Sequence, residues 1–348
     1  MILFLKKAAA ALAAASSVLC VSSCSTESEM RSETYYDMFD TYVTVMAYEE
    51  DAALFEENCK KIKDTLTECS ALFDIYREYE GCSNLCTVNK NAGIAPVKVD
   101  GRIISLVEYG IDVYEKTEGT VNIAMGSVLE IWHDCREQNN KEGADTEVLP
   151  DEAALASAAE HTDINKVRID RDRGTIYLED SEMSLDVGAI AKGYAADCAA
   201  KMLRDGGTTE GYALNLGGNV IVLGEKRQGE AWQISVQSPY EDNSSRIARI
   251  EARDASLVTS GVYERYFTAG GKRYHHIIDP ATLYPSEYFD GVSVLGAESA
   301  LCDALSTALF CMPLERGQAL IASIDGVEAV WVKDGQIYKS AGFPENVE

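Results

Sequence analysis

The second half of the chain constrains the fold most. From residue 211 to 296 it carries short segments rich in Val, Ile, Thr and aromatic residues: 211–216, 219–224, 231–237, 246–252, 256–259, 263–268, 273–278 and 291–296. Such residues suit a pleated, half-buried surface, and Gly-, Asn- and Asp-bearing turns separate the segments. Segments 328–332 and 336–339 close the chain as a hairpin. Spacing and turns indicate antiparallel sheet, and no β-α-β unit or internal repeat occurs. The first half adds helices. Residues 39–48 read as a strand, 51–72 as a helix, 73–92 as an irregular segment and 103–116 as a second helix. A short helix runs through Trp132, a polar loop spans 137–150, and a helix follows at 153–160. A hairpin pairs 167–169 with 175–178, and Asp303 opens a late helix to Phe310. The expected class is α+β: mainly antiparallel sheets with flanking helices. With 348 residues, 46% hydrophobic, there is enough for one large domain or two closely joined lobes.

Residues 1–23 read as a signal peptide: Lys6 and Lys7, an apolar run, then Val21-Ser22-Ser23 before Cys24. Small residues directly before a cysteine form a bacterial lipobox pattern, which predicts lipidation of Cys24 and anchoring at the extracytoplasmic side of the cell membrane. A plain secretory signal with a chance cysteine is the alternative. Residues 24–35, polar and acidic, are expected to be a flexible tether, with the folded domain at 36–340. Net charge is −26, and losing Lys6 and Lys7 with the signal takes it to −28. That argues against nucleic-acid binding. It also means that an anionic substrate needs a local metal, a lysine, or both. Of ten cysteines, Cys59, Cys69, Cys82, Cys86, Cys135, Cys198, Cys302 and Cys311 lie beyond Cys24. Mostly free thiols are expected, although Cys82 and Cys86 are spaced to pair. No C-x-x-C pair is present to make a structural zinc site.

The stretch Ser184 to Asp197 passes from a strand end through a glycine turn into a helix. Asp186 precedes the turn and Lys192 lies just inside the helix. A helix start has unpaired N–H groups and suits an anion, most obviously a phosphate. Four further stretches carry chemistry. Asn215-Leu216-Gly217-Gly218-Asn219 allows a close backbone approach to a ligand, or simply a tight turn. Thr259-Ser260-Gly261 places hydroxyls where they bind phosphate or a flavin edge, or makes a strand-end turn. In Tyr274-His275-His276-Ile277-Ile278-Asp279-Pro280, the adjacent histidines of a strand face opposite sides, so only one serves a given site. Asp303 and Thr307, four apart on a helix, share one face and offer oxygen ligands to a hard cation such as Mg2+. Alone, that pair reads more readily as an N-terminal aspartate with a routine helical threonine.

Taken in order, these segments resemble the ApbE family of FAD:protein FMN transferases over roughly residues 36–335. The resemblance rests on Met38 and Thr41, Tyr76 with the following Asn-bearing loop, Gly119 to Asn122, Asp186-x5-Lys192-Gly193, Asn215 to Gly218, Thr259 to Gly261, His276 to Pro280, and Asp303-x3-Thr307. It implies a cleft between the lobes that binds FAD as substrate and uses Mg2+. It implies transfer of FMN to a threonine hydroxyl of an exported acceptor protein of an electron-transfer system, with release of AMP. Asp303, Thr307 and the Ala189 carbonyl would hold the metal. Met38, Tyr76, Thr120, Val121, Asn122, Asp186, Lys192, Gly217, Gly218, Thr259, Ser260 and His276 would contact FAD. Asp303, Lys192 and His276 would serve catalysis, His276 as a base toward the acceptor.

Three stretches depart from the family's pattern: Thr282-Leu283-Tyr284-Pro285 where a glycine follows the threonine, Asn122 where an aspartate stands, and Met38-Phe39-Asp40-Thr41 for Met-Gly-Thr. Two other functions fit the same residues: an FAD pyrophosphatase giving FMN and AMP, and a lipid-anchored flavin carrier without turnover. No Ser-Gly-Ala-Thr acceptor stretch occurs in the chain itself.

Overall fold

The structure is a computed structural model and describes residues 29–141, 147–208, 211–227, 229–240 and 246–345. The expected signal peptide and Cys24 lie outside the described residues. Strands β1 (Arg31–Met38) and β2 (Thr41–Ala47) form a hairpin, followed by α1 (Ala52–Phe73), α2 (Leu85–Lys90), β3 (Val97–Lys98), α3 (Gly101–Lys116), α4 (Gly126–Asn139) and α5 (Glu152–Ala159). Next come β4 (Val167–Asp170), β5 (Thr175–Leu178) and α6 (Ala191–Asp205). The strand-rich half contains β6 (Tyr212–Leu216), β7 (Asn219–Leu223), β8 (Trp232–Gln237), β9 (Arg246–Ala252), β10 (Ala255–Gly261), β11 (Tyr266–Ala269), β12 (Lys272–His275), β13 (Ile278–Asp279), β14 (Tyr284–Pro285) and β15 (Gly291–Gly296). Helices α7 (Ser299–Phe310) and α8 (Leu314–Ala322) precede the closing strands β16 (Glu328–Lys333) and β17 (Gln336–Lys339).

The frame is an eight-stranded antiparallel sheet in the order β1-β2-β6-β7-β10-β15-β16-β17. Along β2, Val43, Val45 and Ala47 alternate into the core, as a two-residue period requires. Each valine so buried contributes about 1.5–3 kcal/mol. One core joins that face to α1, α6 and α7 through Ile62, Leu66, Ala195, Ala199, Leu305 and Leu309. The β8–β9 ribbon covers other sheet positions through Trp232, Ile234 and Ile250 against Val222 and Leu257. A third cluster, Met125, Val128, Trp132, Leu155, Phe267 and Ile278, ties α4 and α5 to β11 and β13. The expected α+β class with antiparallel sheets and flanking helices is observed.

Several boundaries differ from the sequence reading. Residues 31–35, expected as tether, belong to β1, where Arg31 to Tyr35 pair with Ala47 to Val43. Polar composition misled there because β1 is an edge strand, where charged side chains are tolerated and only Tyr35 need turn inward. Helix α2 lies inside the segment read as irregular, started by Asn84, whose side chain accepts from the Thr87 N–H at 3.1 Å. Helix α4 continues through Asn139, past the expected end, burying Cys135 one turn beyond Trp132. The 273–278 strand is broken at His276, and Ile278–Asp279 pairs instead with Tyr284–Pro285. Helix α7 begins at Ser299, which places Asp303 in its second turn. Leu283, at a φ of 62°, occupies the position where glycine would be easier, so the turn there is kept at some strain.

Candidate active site

The expected anion site at the start of α6 is occupied by one of the chain's own carboxylates. The Gly193 N–H donates to Asp303 Oδ2 at 2.8 Å, and Lys192 Nζ lies 3.4 Å from Asp303 Oδ1. The exchange is mutual, because Asp197 of α6 accepts from the Ser299 and Ala300 N–H groups at the start of α7, at 3.0 and 2.8 Å. Each helix therefore caps the other's N-terminus with a carboxylate. Such close packing requires Gly193: a Cβ there would meet Ser299 O at 2.4 Å. Upstream, Asp186 Oδ1 accepts from the Gly188 N–H at 2.7 Å, making the turn that leads into α6. Asn89 braces this segment from the Asn-bearing loop, with reciprocal bonds to the Leu185 N–H and C=O at 2.8 and 2.9 Å.

These groups form one wall of a cleft of about 470 Å³. It brings together Tyr76, Thr120, Val121, Asn122, Asp186, Ala189, Lys192, Gly217, Thr259, Ser260, His276, Asp303 and Thr307 from seven stretches of chain. Asn122 shapes its own loop: its amide donates to Thr162 O at 2.9 Å and its Oδ1 accepts from Ala124 N–H at 2.9 Å. Thr259 and Ser260 hydroxyls pair with Ser293 and Ser306, each at 2.7 Å, which joins β10 to β15 and to α7. Gly217, at a φ of 59°, leaves the space taken by Thr41, whose Oγ1 would lie 2.1 Å from an added Cβ.

Two of the residues expected to contact the flavin, Met38 and Gly218, lie outside the cleft lining. Met38 is 4% exposed and packs in the core, with the Thr67 hydroxyl 3.5 Å from its sulfur. A register shift between Tyr35 and Met38 turns it inward, because one extra residue in a strand reverses the face that follows. Phe39, Asp40 and Thr41 reach the cleft in its place. Gly218 is a turn residue outside the cleft lining, its N–H donating to Asn215 Oδ1 at 2.9 Å. Of the two histidines, His275 is buried and committed: Nε2–H donates to Ser286 O at 2.9 Å and Nδ1 accepts from the Ile277 N–H. Both histidines border the cleft, because the strand ends at His275 and alternation stops there; His276 is the available one, since both ring nitrogens of His275 are engaged.

Sequence reading missed three cleft residues, His133, Arg136 and Arg265. His133 stacks on Tyr76 with centroids 4.7 Å apart, and its Nδ1 lies 2.8 Å from Arg136 Nη2. Arg265 donates to the Phe39 carbonyl at 3.1 Å, linking the β1–β2 turn to the segment before β11. A helix period over α4 would have put His133 and Arg136 on one face, but nothing local says that this face meets Tyr76. Enclosure by the cleft walls, then the charges of Arg265 and Lys192, push His276 down to about 3, so the ring is neutral at pH 7. Burial pushes Asp303 and Asp186 upward, and Lys192 with the Gly193 N–H opposes that at Asp303. Lys192, Arg136 and Arg265 thus make a cationic interior inside a strongly acidic chain, the local charge that an anionic ligand needs.

The same architecture occurs in solved ApbE proteins. A Thermotoga maritima ApbE protein superposes with a TM-score of 0.78 at 25% identity, covering 90% of this chain and 98% of that one. The flavin transferase ApbE of Vibrio cholerae gives 0.74, also at 25%, with the same coverage. Fold and cleft therefore define an enzyme of the flavin-transferase class. The ApbE family profile matches residues 39–331. An FAD:protein FMN transferase of Treponema pallidum is 34% identical over 280 residues, 76% of this chain and 75% of the relative. One from Klebsiella pneumoniae is 32% identical over 271 residues, 76% of this chain and 81% of the relative. The chain belongs to the ApbE family.

Proposed function

We propose that this enzyme cleaves FAD with the help of Mg2+ and transfers the FMN half to a threonine hydroxyl of an exported acceptor protein, releasing AMP. The observation that carries the reading is the junction of α6 and α7, where Lys192, Gly193 and Asp303 converge at the floor of a cleft with Arg136 and Arg265 in its wall. The donor set fits a hard cation: the Asp303 carboxylate, the Thr307 hydroxyl one turn further on and the Ala189 carbonyl are all oxygen ligands. Among the described residues no group of three or more His, Cys, Asp or Glu is placed to hold a metal. One carboxylate with hydroxyl and carbonyl partners suits Mg2+, which takes its remaining ligands from water and substrate phosphates. When bound, the ion would neutralise pyrophosphate charge and polarise the phosphorus under attack.

The chain's own groups supply the rest. Lys192 pairs with a phosphate oxygen, and Arg136 and Arg265 offset further negative charge. Tyr76, backed by His133, gives a planar surface on which a ring stacks. Asp186, Thr120, Val121, Gly217, Thr259 and Ser260 line the remaining contacts. In the transfer step the acceptor threonine oxygen bonds to the FMN phosphorus and the bond to AMP breaks. His276, neutral in the cleft, takes the threonine proton, and an anionic substrate strengthens it as a base by countering the neighbouring cations. The reading includes export and lipid anchoring at Cys24, supported by the Lys6-Lys7, apolar-run and Cys24 pattern of the sequence.

The test is incubation with FAD, Mg2+ and a candidate exported electron-transfer protein, followed by mass analysis of its peptides. FMN on a threonine peptide with equimolar AMP is expected. AMP without an adduct would favour the pyrophosphatase, and bound FAD with neither product the carrier.

A further inference from the structure

The eight cysteines of the folded part are free thiols, and two of them face each other across a helix pair. Helices α1 and α6 run antiparallel, and their side-chain contacts fix the register. At one end the Asn58 amide donates to the Thr208 hydroxyl at 3.2 Å, just past α6. At the other end Phe73 meets Tyr194 edge-on, with ring centroids 5.9 Å apart. One helical turn in from that aromatic pair, the same register sets Cys69 opposite Cys198. The two thiols are close enough to perturb each other's titration. Cys69 is fully buried, whereas Cys198 is half-buried and reachable from solvent.

We propose that Cys69 and Cys198 form a disulfide that staples α1 to α6 beneath the active-site cleft. The co-reactant is a disulfide of the kind found in oxidising compartments. The Cys198 thiolate attacks the donor disulfide, bonding to one sulfur and expelling the other as a thiolate. Cys69 then attacks the Cys198 sulfur, forming the internal bond and expelling the second donor thiolate. The donor gains two electrons, and the two thiol protons pass to the released thiolates. The order follows from access, because the donor meets only Cys198 directly.

The crosslink bears on the site through its neighbours. Ser70, next to Cys69, lines the cleft and its hydroxyl accepts from the Phe39 N–H at 3.3 Å, holding the β1–β2 turn. Cys198 sits on the helix whose first turn presents Lys192 and Gly193. Oxidation therefore ties the hairpin side of the cleft to its phosphate-facing side.

The test uses the full chain purified under reducing conditions and treated with oxidised glutathione. Intact mass should fall by two hydrogens, about 2 Da, and a peptide containing Cys69 should be recovered linked to one containing Cys198. Tm should rise by roughly 7 °C, from loop-closure entropy spread over the unfolding entropy of a chain this size, and dithiothreitol should reverse it. Cys198→Ser, at a half-buried position, should keep the reduced protein's Tm and lose the rise. Three results would overturn the proposal: both thiols still alkylated after oxidation, a glutathione adduct that persists on Cys198, or Cys69 linked to a different cysteine.

Discussion

Gly193→Ala tests the claim that close helix packing builds the site. A methyl there would lie 2.4 Å from Ser299 O, 2.7 Å from Ser299 C and 2.8 Å from Ala300 Cα. All three are backbone atoms at the start of α7, so no rotamer change relieves the clash. Ordinary contact at 3.4 Å requires α6 and α7 to separate locally by about 1 Å. The Gly193 N–H to Asp303 hydrogen bond, now 2.8 Å, would then pass out of range. Overpacking costs about 1–3 kcal/mol and the lost charge-assisted bond about 1.5–3 kcal/mol. The better helix propensity of alanine returns about 1 kcal/mol, leaving a net loss of roughly 1.5–5 kcal/mol. A 1 Å displacement of Asp303 and Lys192 should also slow transfer by about 100-fold. Urea denaturation gives the first quantity and the rate of FMN transfer at saturating FAD the second. A variant with unchanged stability and rate would refute the reasoning, because it would mean that the approach of the two helices does not position the site.

Asp303→Ala should lower turnover by about 100-fold or more, since it removes the carboxylate of the cation set, and circular dichroism should still report a folded chain; full activity would sink the metal assignment. Arg265→Ala should weaken FAD binding about tenfold and raise the His276 pKa, read respectively by flavin fluorescence titration and by histidine NMR. Asp180 is held down at about 2, first by Lys166 at 2.7 Å and also by His161. A depressed carboxyl contributes stability above its unfolded value near 3.8 that is lost as pH falls toward 2. Asp180→Asn should therefore cost on the order of 1 kcal/mol at pH 7, after solvent screening, and flatten the stability curve between about pH 4 and 2.

Much of the fold is legible in the chain. Segments such as Ile221-Val222-Leu223 and Val292-Ser293-Val294 carry β-branched and apolar residues between turn residues, and their strands fall where those residues are. Asp51 and Asp151 start helices with local side-chain caps. The segment Asp186 to Gly193 shows its chemistry through local spacing, whereas the Asp303/Thr307 pair gains meaning only beside the other segments. Edges were harder. Arg31 to Tyr35 look solvated because an edge strand faces water, and Leu314 to Ala322 is short, holds Gly317 and has no side-chain cap to mark its start.

The sequence by itself determined the antiparallel α+β class, the places of the turns, and the chemical groups available to the site. Those depend on residue type and short-range spacing, which a chain carries wherever it goes. Tertiary structure alone decided which groups meet. The anion at the start of α6 turned out to be Asp303, 110 residues away, and its partner Asp197 caps α7 in return. A register shift in β1 sent Met38 into the core, and packing of α4 brought His133, Arg136 and the opposing Arg265 to the cleft. Facing and approach between distant segments depend on register and interhelix distance. Both are set by burial across the whole core, so no local pattern encodes them.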